Sequence, residues 1–442
     1  MTIGRRELML AGLGVGLAVV GPRLVAAQGS SNAGSVTPGD GVTDQTAALQ
    51  DAADAAARSG APLRLAAGTY STERLNLKSG THIEGVPGRT ILRYRSGGAI
   101  LATEKTDNVR LSGLVLDAGG KPLGEDGALL LATGATHLDI SDCRFMGSSE
   151  GGIVFRRVAG RIANCEIGHI GKTALFSEDA DGLEIAHSHV HDCGDNGILV
   201  WRSKIGEDGT IVTSNRIERI AAKSGGSGQN GNGINIFRAD SVVVSANRIT
   251  DCAFSAIRSN AGSNCQIIGN FCARLGEVAL YAEFSFQGVV IAKNIVDAAA
   301  MGVSVTNFQQ GGRLAVVRGN IIRNLFFRKS IDTRGVGIAV EADAIVSDNV
   351  IENAPAYGIL LGWGDYLRNV SVTDNLIRNA HTGIGVSVSP STGAALITDN
   401  LITDTKDGAI RAMKGPTPIG PDFVHHSAKT FRNLTVYANA AR

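Results

Sequence analysis

Between residues 143 and 412 the chain repeats itself eleven times, and this repeat restricts its possible folds more than any other feature. Each copy opens on a small polar residue, carries an apolar residue two places on, and reaches a Gly/Ala-Ile/Val/Leu step about nine places on. The polar anchors are Cys143, Cys165, Ser188, Asn215, Asn247, Asn270, Asn294, Asn320, Asn349, Asn375 and Asn400, spaced 22, 23, 27, 32, 23, 24, 26, 29, 26 and 25 residues apart. The second anchors run from Gly152-Ile153 to Ala409-Ile410. Self-similarity at such a period marks a solenoid. Apolar residues alternate within each copy, the period of a strand, and the runs are too short for helices. Each copy therefore reads as one turn of an all-β parallel β-helix whose coils stack at about 4.8 Å. About twelve coils would make a rod roughly 55–60 Å long.

The position two after each anchor forms one column, Phe145, Ile167, Val190, Ile217, Ile249, Cys272, Val296, Ile322, Ile351, Ile377 and Ile402, which is expected to point inward. The asparagines form a second column at a turn. A buried side-chain amide must satisfy its donors and acceptors, and a ladder of amides does so, which makes these residues structural. The same logic makes the cysteines buried thiols rather than disulfides. Cys143 and Cys165 hold the ladder position, Cys272 holds the aliphatic column, and Cys193 and Cys252 lie two coils apart.

The ends read differently. Arg5-Arg6, an apolar run from Leu8 to Gly21 and the small residues Val25-Ala26-Ala27 make residues 1–27 a targeting signal too short to span a membrane. The paired arginines resemble a twin-arginine export signal, although Gly4 stands where Ser or Thr is common. The expected location is the periplasm or the exterior, and the export machinery is one expected partner. Without residues 1–27 the formal charge is 39 minus 40, or −1, which points to neither a nucleic-acid partner nor a basic membrane patch. The Ala-rich stretch 44–59 reads as a helix, capped by Asp44 or Thr43, that covers the N-terminal strand edges. The expected organisation is a lead-in with this helix over 28–70, the β-helix over 71–412, and a C-terminal cap or tail over 413–442.

The segments GDGVTDQTAALQDA at 39–52, LAAGTY at 65–70 and LNLKSGTHIEG at 75–85 resemble the lead-in of pectate-lyase-like β-helix proteins, with Ala66-Ala67 in place of the usual Pro pair. Together with the signal, they resemble a group of twin-arginine-translocated repeat proteins whose function is not established. The resemblance implies a right-handed helix, in accord with crossover chirality, and carbohydrate-active chemistry as an expectation only, because a fold does not fix a function. Gly-His-Gly, Asn-Thr-Asp, Arg-x-Pro-x-x-Arg and Asp-Pro-His-Asp, which mark better-known enzymes of this fold, are absent. His189-Val190-His191-Asp192 matches two of the four positions of the last.

Two turns are long, 219–232 and 325–336, and both lie on one edge of the expected rod. Longer connections at 199–214, 304–319, 360–374 and 385–399 lie on another. Loops of solenoids carry function. These would wall a groove over the strand that follows the Gly/Ala-Ile step. Alternation places Val154 and Arg156, Phe176 and Glu178, Leu199 and Trp201, Asn235 and Phe237, Arg258 and Asn260, Tyr281 and Glu283, Ser304 and Thr306, and Ala339 and Glu341 outward on successive coils. The early and late coils read as bland. Arg258, Tyr281 and Glu283 are the candidate catalytic residues, and Asn235, Phe237, Asn260 and Trp201 the candidate substrate-binding residues. A cation beside a uronate carboxylate stabilises the anion formed on loss of the adjacent proton, with Tyr281 as base or acid and Glu283 as its partner. This favours a polysaccharide lyase or C5-epimerase. A glycoside hydrolase would need two carboxylates about 5–10 Å apart, drawn from Glu283 with Glu341, Asp332 or Asp365. A non-catalytic glycan-binding or envelope structural protein is the alternative of a different class. No cofactor is required. A divalent metal at His189, beside Glu166, and His191, beside Glu218, which alternate outward on one strand with His187 and have His169 nearby, is the optional addition.

Overall fold

The computed structural model describes residues 36–226, 228–329 and 333–442. The targeting segment expected at 1–27 lies outside them, as does Asp332. Each coil contributes three straight stretches. The stretches before the Asn anchors form a 15-stranded parallel sheet, the first face of the rod. The stretches after the anchors, such as Phe271–Leu275, form the second face, and those after the Gly/Ala step, such as Leu280–Glu283, form the third. The second and third faces belong to one 27-stranded sheet, because single strands such as Phe271–Glu283 run through both with a register shift between Leu275 and Val278.

The rod thus has about fifteen turns rather than twelve. The additional early coils, entered at Leu63–Arg64, His82–Glu84 and Arg110–Ser112, precede the first polar anchor and so carry no ladder residue to announce them. At the other end Leu434–Tyr437 pairs with Ala395–Thr398, and Ala440–Ala441 with Leu401 and Ile402, so residues 434–441 add a coil after the excursion 414–433. Fourteen steps of about 4.8 Å give a rod of roughly 67 Å.

The ladder is continuous. Each Asn Oδ1 accepts from the backbone N–H and the Nδ2 of the preceding rung, as Asn320 does from Asn294 at 3.0 Å for both bonds. Each Nδ2 also reaches a carbonyl of the preceding coil, as Asn320 reaches Ile291 at 3.0 Å. Ser188 begins the amide run by donating its N–H to Asn215, and Asn439 ends it below Asn400. The residue in the left-handed conformation is the one before each rung (Asp142, Asn164, His187, Ser214, Ala246, Lys293, Asp348), not the rung itself. The aliphatic column from Phe145 to Ile402 is fully buried. All six cysteines are buried free thiols.

The helix runs Thr46–Ser59, two residues shorter than expected. Gln45 occupies the N-cap, while the Asp44 carboxylate accepts from the Thr46 N–H at 2.9 Å. Leu49, Ala52, Ala53 and Ala56 are buried against the first strands, and Gly60 closes the helix in the left-handed region, as a C-cap without Cβ strain can. Among the described residues no helix is long and apolar enough to cross a membrane.

Candidate functional site

On the third face the strand pairing follows the expected alternation. Arg258 is the direct neighbour of Tyr281, and Asn260 that of Glu283. The Arg258 Nε donates to Glu283 Oε1 at 2.6 Å, Asn260 Nδ2 donates to the same oxygen at 2.9 Å, and the guanidinium carbon lies 5.1 Å from the Tyr281 ring centre. A further carboxylate joins them: Glu277 Oε2 lies 3.6 Å from Arg258 Nη1, while Glu283 takes the Nε. Burial pushes the Glu277 carboxyl up, against the pull of Arg258 and with the push of Glu283. Burial, then the Glu283 charge, holds the Tyr281 phenol well above its usual range, so the phenol is an acid and not a base at neutral pH.

Both long turns reach this cluster. The turn after Ile220 carries Gly225, Gly226, Gly228 and Gly231, and a Cβ on Gly228 would overlap the Arg258 guanidinium. Three amides hold the turn down: Asn232 donates to Gly228 O at 2.8 Å, and Asn196 and Asn235 to Gln229 O at 3.0 and 3.2 Å. Asn235 thus anchors the wall and is itself buried. The other long turn contains the hairpin Phe327–Arg328 with Thr333–Arg334, and Arg328 Nη1 donates to Ala253 O and Gly276 O at 2.8 and 2.7 Å. Arg258 is 9% and Glu283 2% exposed, so Tyr281, Asn260 and Phe237 form the accessible rim.

The early coils are not bland. Phe176, Trp201 and Phe237 form an aromatic ledge across three coils, with ring centres 6.2 and 4.4 Å apart, and Arg238 stacks on Phe237 at 4.7 Å. A trough of ≈ 380 Å³ lies beside it, lined by Lys172, Phe176, Glu178, Leu199 and Trp201. A depression of ≈ 440 Å³ on the first face is lined mainly by aliphatic side chains and backbone; its acid, Asp343, is bound to Arg368. Glu341 lies two coils from Glu283, about 9–10 Å along the stack, and accepts from the Phe308 N–H at 2.7 Å.

The histidine run sits on the second face. His187 is in the turn with φ 50°, not on the strand. His189 pairs with Glu166 and His191 with Glu218 in register, yet the side chains cross: His189 Nε2 meets Glu218 at 3.2 Å and His191 Nε2 meets Glu166 at 3.4 Å. The Gly168 position leaves room for the His191 ring. Among the described residues the donor atoms of His169, His191 and Asp192 lie within 4.8 Å of one another, but Arg219 holds both oxygens of Asp192 at 2.8 and 3.0 Å and opposes a cation there. These residues fit a network of ion pairs better than a metal.

The family model of the right-handed β-helix region matches residues 127–225 and 204–377, more than half of the sequence. The chain belongs to the right-handed β-helix family. No curated protein matches it. Among solved structures this β-helix protein is similar to PfbA, a surface adhesin of Streptococcus pneumoniae, at 17% identity and a TM-score of 0.51, covering 87% of this chain and 92% of that one. It is also similar to gene product 12 of bacteriophage phi29, at 16% and 0.51, covering 85% of this chain and 54% of that one. A GH87 α-1,3-glucanase of Streptomyces thermodiastaticus follows at 14% and 0.49, covering 93% and 70%. At these identities the likeness is one of fold.

Reading the sequence alone missed two parts of the β-helix site. Glu277 sits two residues before the Ala279-Leu280 step, at the turn position held by Glu150 and Asp195 in earlier coils, so an acid there was visible as a pattern but not as a partner of Arg258. The second, shorter amide run Asn196–Asn232–Ser255, which props the glycine-rich wall, was signalled by Asn-Gly-Ile at 196–198 and 232–234.

Proposed function

We propose that this protein is exported by the twin-arginine route to the periplasm or the exterior, and that it acts there on an anionic, uronate-containing polysaccharide laid along its third face. The observation that carries this reading is the aromatic ledge Phe176–Trp201–Phe237 running into the Arg258–Tyr281–Glu283 cluster. Aromatic faces hold sugar rings by stacking on their apolar C–H faces. The guanidinium draws the substrate carboxylate toward the rim and stabilises the charge that grows on it as the neighbouring proton leaves. Tyr281, held as a phenol, supplies a proton. In elimination the glycosidic oxygen takes it as the C–O bond breaks and a C=C bond forms; in C5-epimerisation the carbanion takes it on the opposite face. Glu277, whose carboxyl is raised by burial, is the group suited to receive the abstracted proton. No step needs a cofactor or a metal.

Burial of Arg258 and Glu283 favours a second reading, in which the ledge binds glycan and the cluster only braces the wall. One experiment separates them. The purified chain is screened on alginate, pectate and other uronate polymers by ultraviolet absorbance of unsaturated product and by NMR for epimerisation. Product formation lost in Arg258→Ala and Tyr281→Phe supports the catalytic reading. Glycan binding lost in Trp201→Ala, without turnover in any form, supports the binding reading.

A further inference from the structure

The second face carries a column of apolar side chains that none of the described residues covers. Phe271, Ile295, Ile321, Val350, Leu376 and Leu401 are direct neighbours on six successive coils. The last five are 37–42% exposed, which is high for aliphatic residues at the centre of a sheet. The column ends where Arg248 stacks on Phe271 at 4.4 Å. Together these side chains expose on the order of 350 Å² of contiguous apolar surface, the size of patch that is often functional. Arg328 ties the strand Phe327–Arg328 to the turns at Ala253 and Gly276.

Two residues along each strand lies a parallel column of charge: Asp297, Arg323, Glu352 and Arg378, between Ala273 and Thr403. Within one chain these charges pair along the stack, Arg323 with Asp297 and Arg378 with Glu352, each at 3.0 Å. The signs alternate −, +, −, +, and such a pattern becomes complementary to itself when it is reversed. A two-fold axis along the strand direction, passing between the coils of Ile321 and Val350, reverses the coil order and keeps each column facing its own kind. It sets Ile321 on the partner's Val350, Ile295 on the partner's Leu376 and Phe271 on the partner's Leu401. It also sets Arg323 against the partner's Glu352 and Asp297 against the partner's Arg378. A two-fold axis along the rod would instead lay the apolar column on the charged one, and a translation would not close.

We infer that this face binds a second copy of the chain, with the two rods antiparallel. A standard interface buries about 800 Å² per partner. The apolar column supplies roughly half, and the charged column with its flanking turns must supply the rest. The pair is therefore expected to be reversible at micromolar concentration, and its opposite charges to set the register more than the strength.

The test uses the full chain in sedimentation velocity across the micromolar range. The wild type is expected to dimerise, and Val350→Glu to stay monomeric with an unchanged circular-dichroism melt. The decisive arm is a pair of charge reversals at exposed positions. Arg323→Glu and Glu352→Arg are each expected to be monomeric, since each sets like charges face to face. An equimolar mixture is expected to recover the dimer, because one contact of the mixed pair then joins the two substituted side chains, of opposite charge, and the other joins the native Arg323 and Glu352. A wild type that stays monomeric, including one that binds anionic vesicles or glycan through this stripe instead, overturns the inference. So does a dimer unaffected by the reversals, or a mixture that fails to recover it. Dimerisation does not depend on the third face, so the result is independent of glycan turnover.

Discussion

Arg258 is held between two carboxylates, under a glycine that admits no side chain and beside a phenol. If it stabilises a developing anion, Arg258→Ala should lower kcat/KM on the responsive polymer by about 10²–10³. Tyr281→Phe should lower it by about 10²–10⁴ while leaving the melt unchanged. Glu218 offers a test of stability. Burial alone would raise its carboxyl, but hydrogen bonds from Arg219, Arg216 and His189 outweigh burial and hold it at about 2. A depressed acid stabilises the folded state above its unfolded value, and that contribution is lost as pH falls toward the folded one. The gap in urea midpoint between wild type and Glu218→Gln should therefore be widest above about pH 4.5 and narrow toward pH 2. At this scale the sequence was only partly legible. Alternation named Arg258, Tyr281 and Glu283 as neighbours because a strand has a strict period. It was silent on Glu277 and on the crossing of His189 and His191, which depend on side-chain torsions and turn geometry rather than on period.

The coil is the element of this fold, and its two anchors are coupled. Glycine occupies the step wherever the next coil's column residue is isoleucine: Gly152 with Ile167, Gly197 with Ile217, Gly233 with Ile249, Gly302 with Ile322, Gly337 with Ile351, Gly358 with Ile377 and Gly383 with Ile402. Alanine occupies it where that residue is smaller: Ala174 before Val190, Ala256 before Cys272, Ala279 before Val296 and Ala409 before Ala441. A Cβ on Gly302 would overlap the Gly337 carbonyl oxygen and lie 2.6 Å from the Ile322 Cγ2, so part of the volume given to one position is taken from the other. Gly302→Ala alone should destabilise by about 1–3 kcal/mol and Ile322→Ala, which removes the Cγ2, by about 2–5 kcal/mol. The double variant should cost less than their sum in denaturant melts. Asn320→Ala should cost about 2–3 kcal/mol, because it leaves the Asn294 N–H and Nδ2 without the oxygen that both now share. The repeat made the coil legible because its columns are strictly periodic. The first coils stayed hidden because Leu114 stands at the anchor position directly before Cys143 and breaks the small polar series.

For the whole molecule the open ends matter most. The helix Thr46–Ser59 lies over the first coils and buries Leu49. Leu49→Asp is expected to lower the melting temperature and to promote aggregation, seen by light scattering, because it uncovers strand edges that pair with any other chain. The antiparallel pairing proposed for the second face would leave both third faces free of the contact, so occupancy of the groove and self-association are expected to be measurable independently. The ladder also determines how the rod should respond to force. Every rung from Asn215 to Asn400 is held by the same few bonds to its two neighbours, with Asn439 closing the run below Asn400. Drawn out from its C-terminal end, such an object should peel rather than snap. Each coil of about 25 residues would release roughly 90 Å of slack at nearly constant tension, so that the length of the rod determines how far it extends and a single coil determines how hard one must pull.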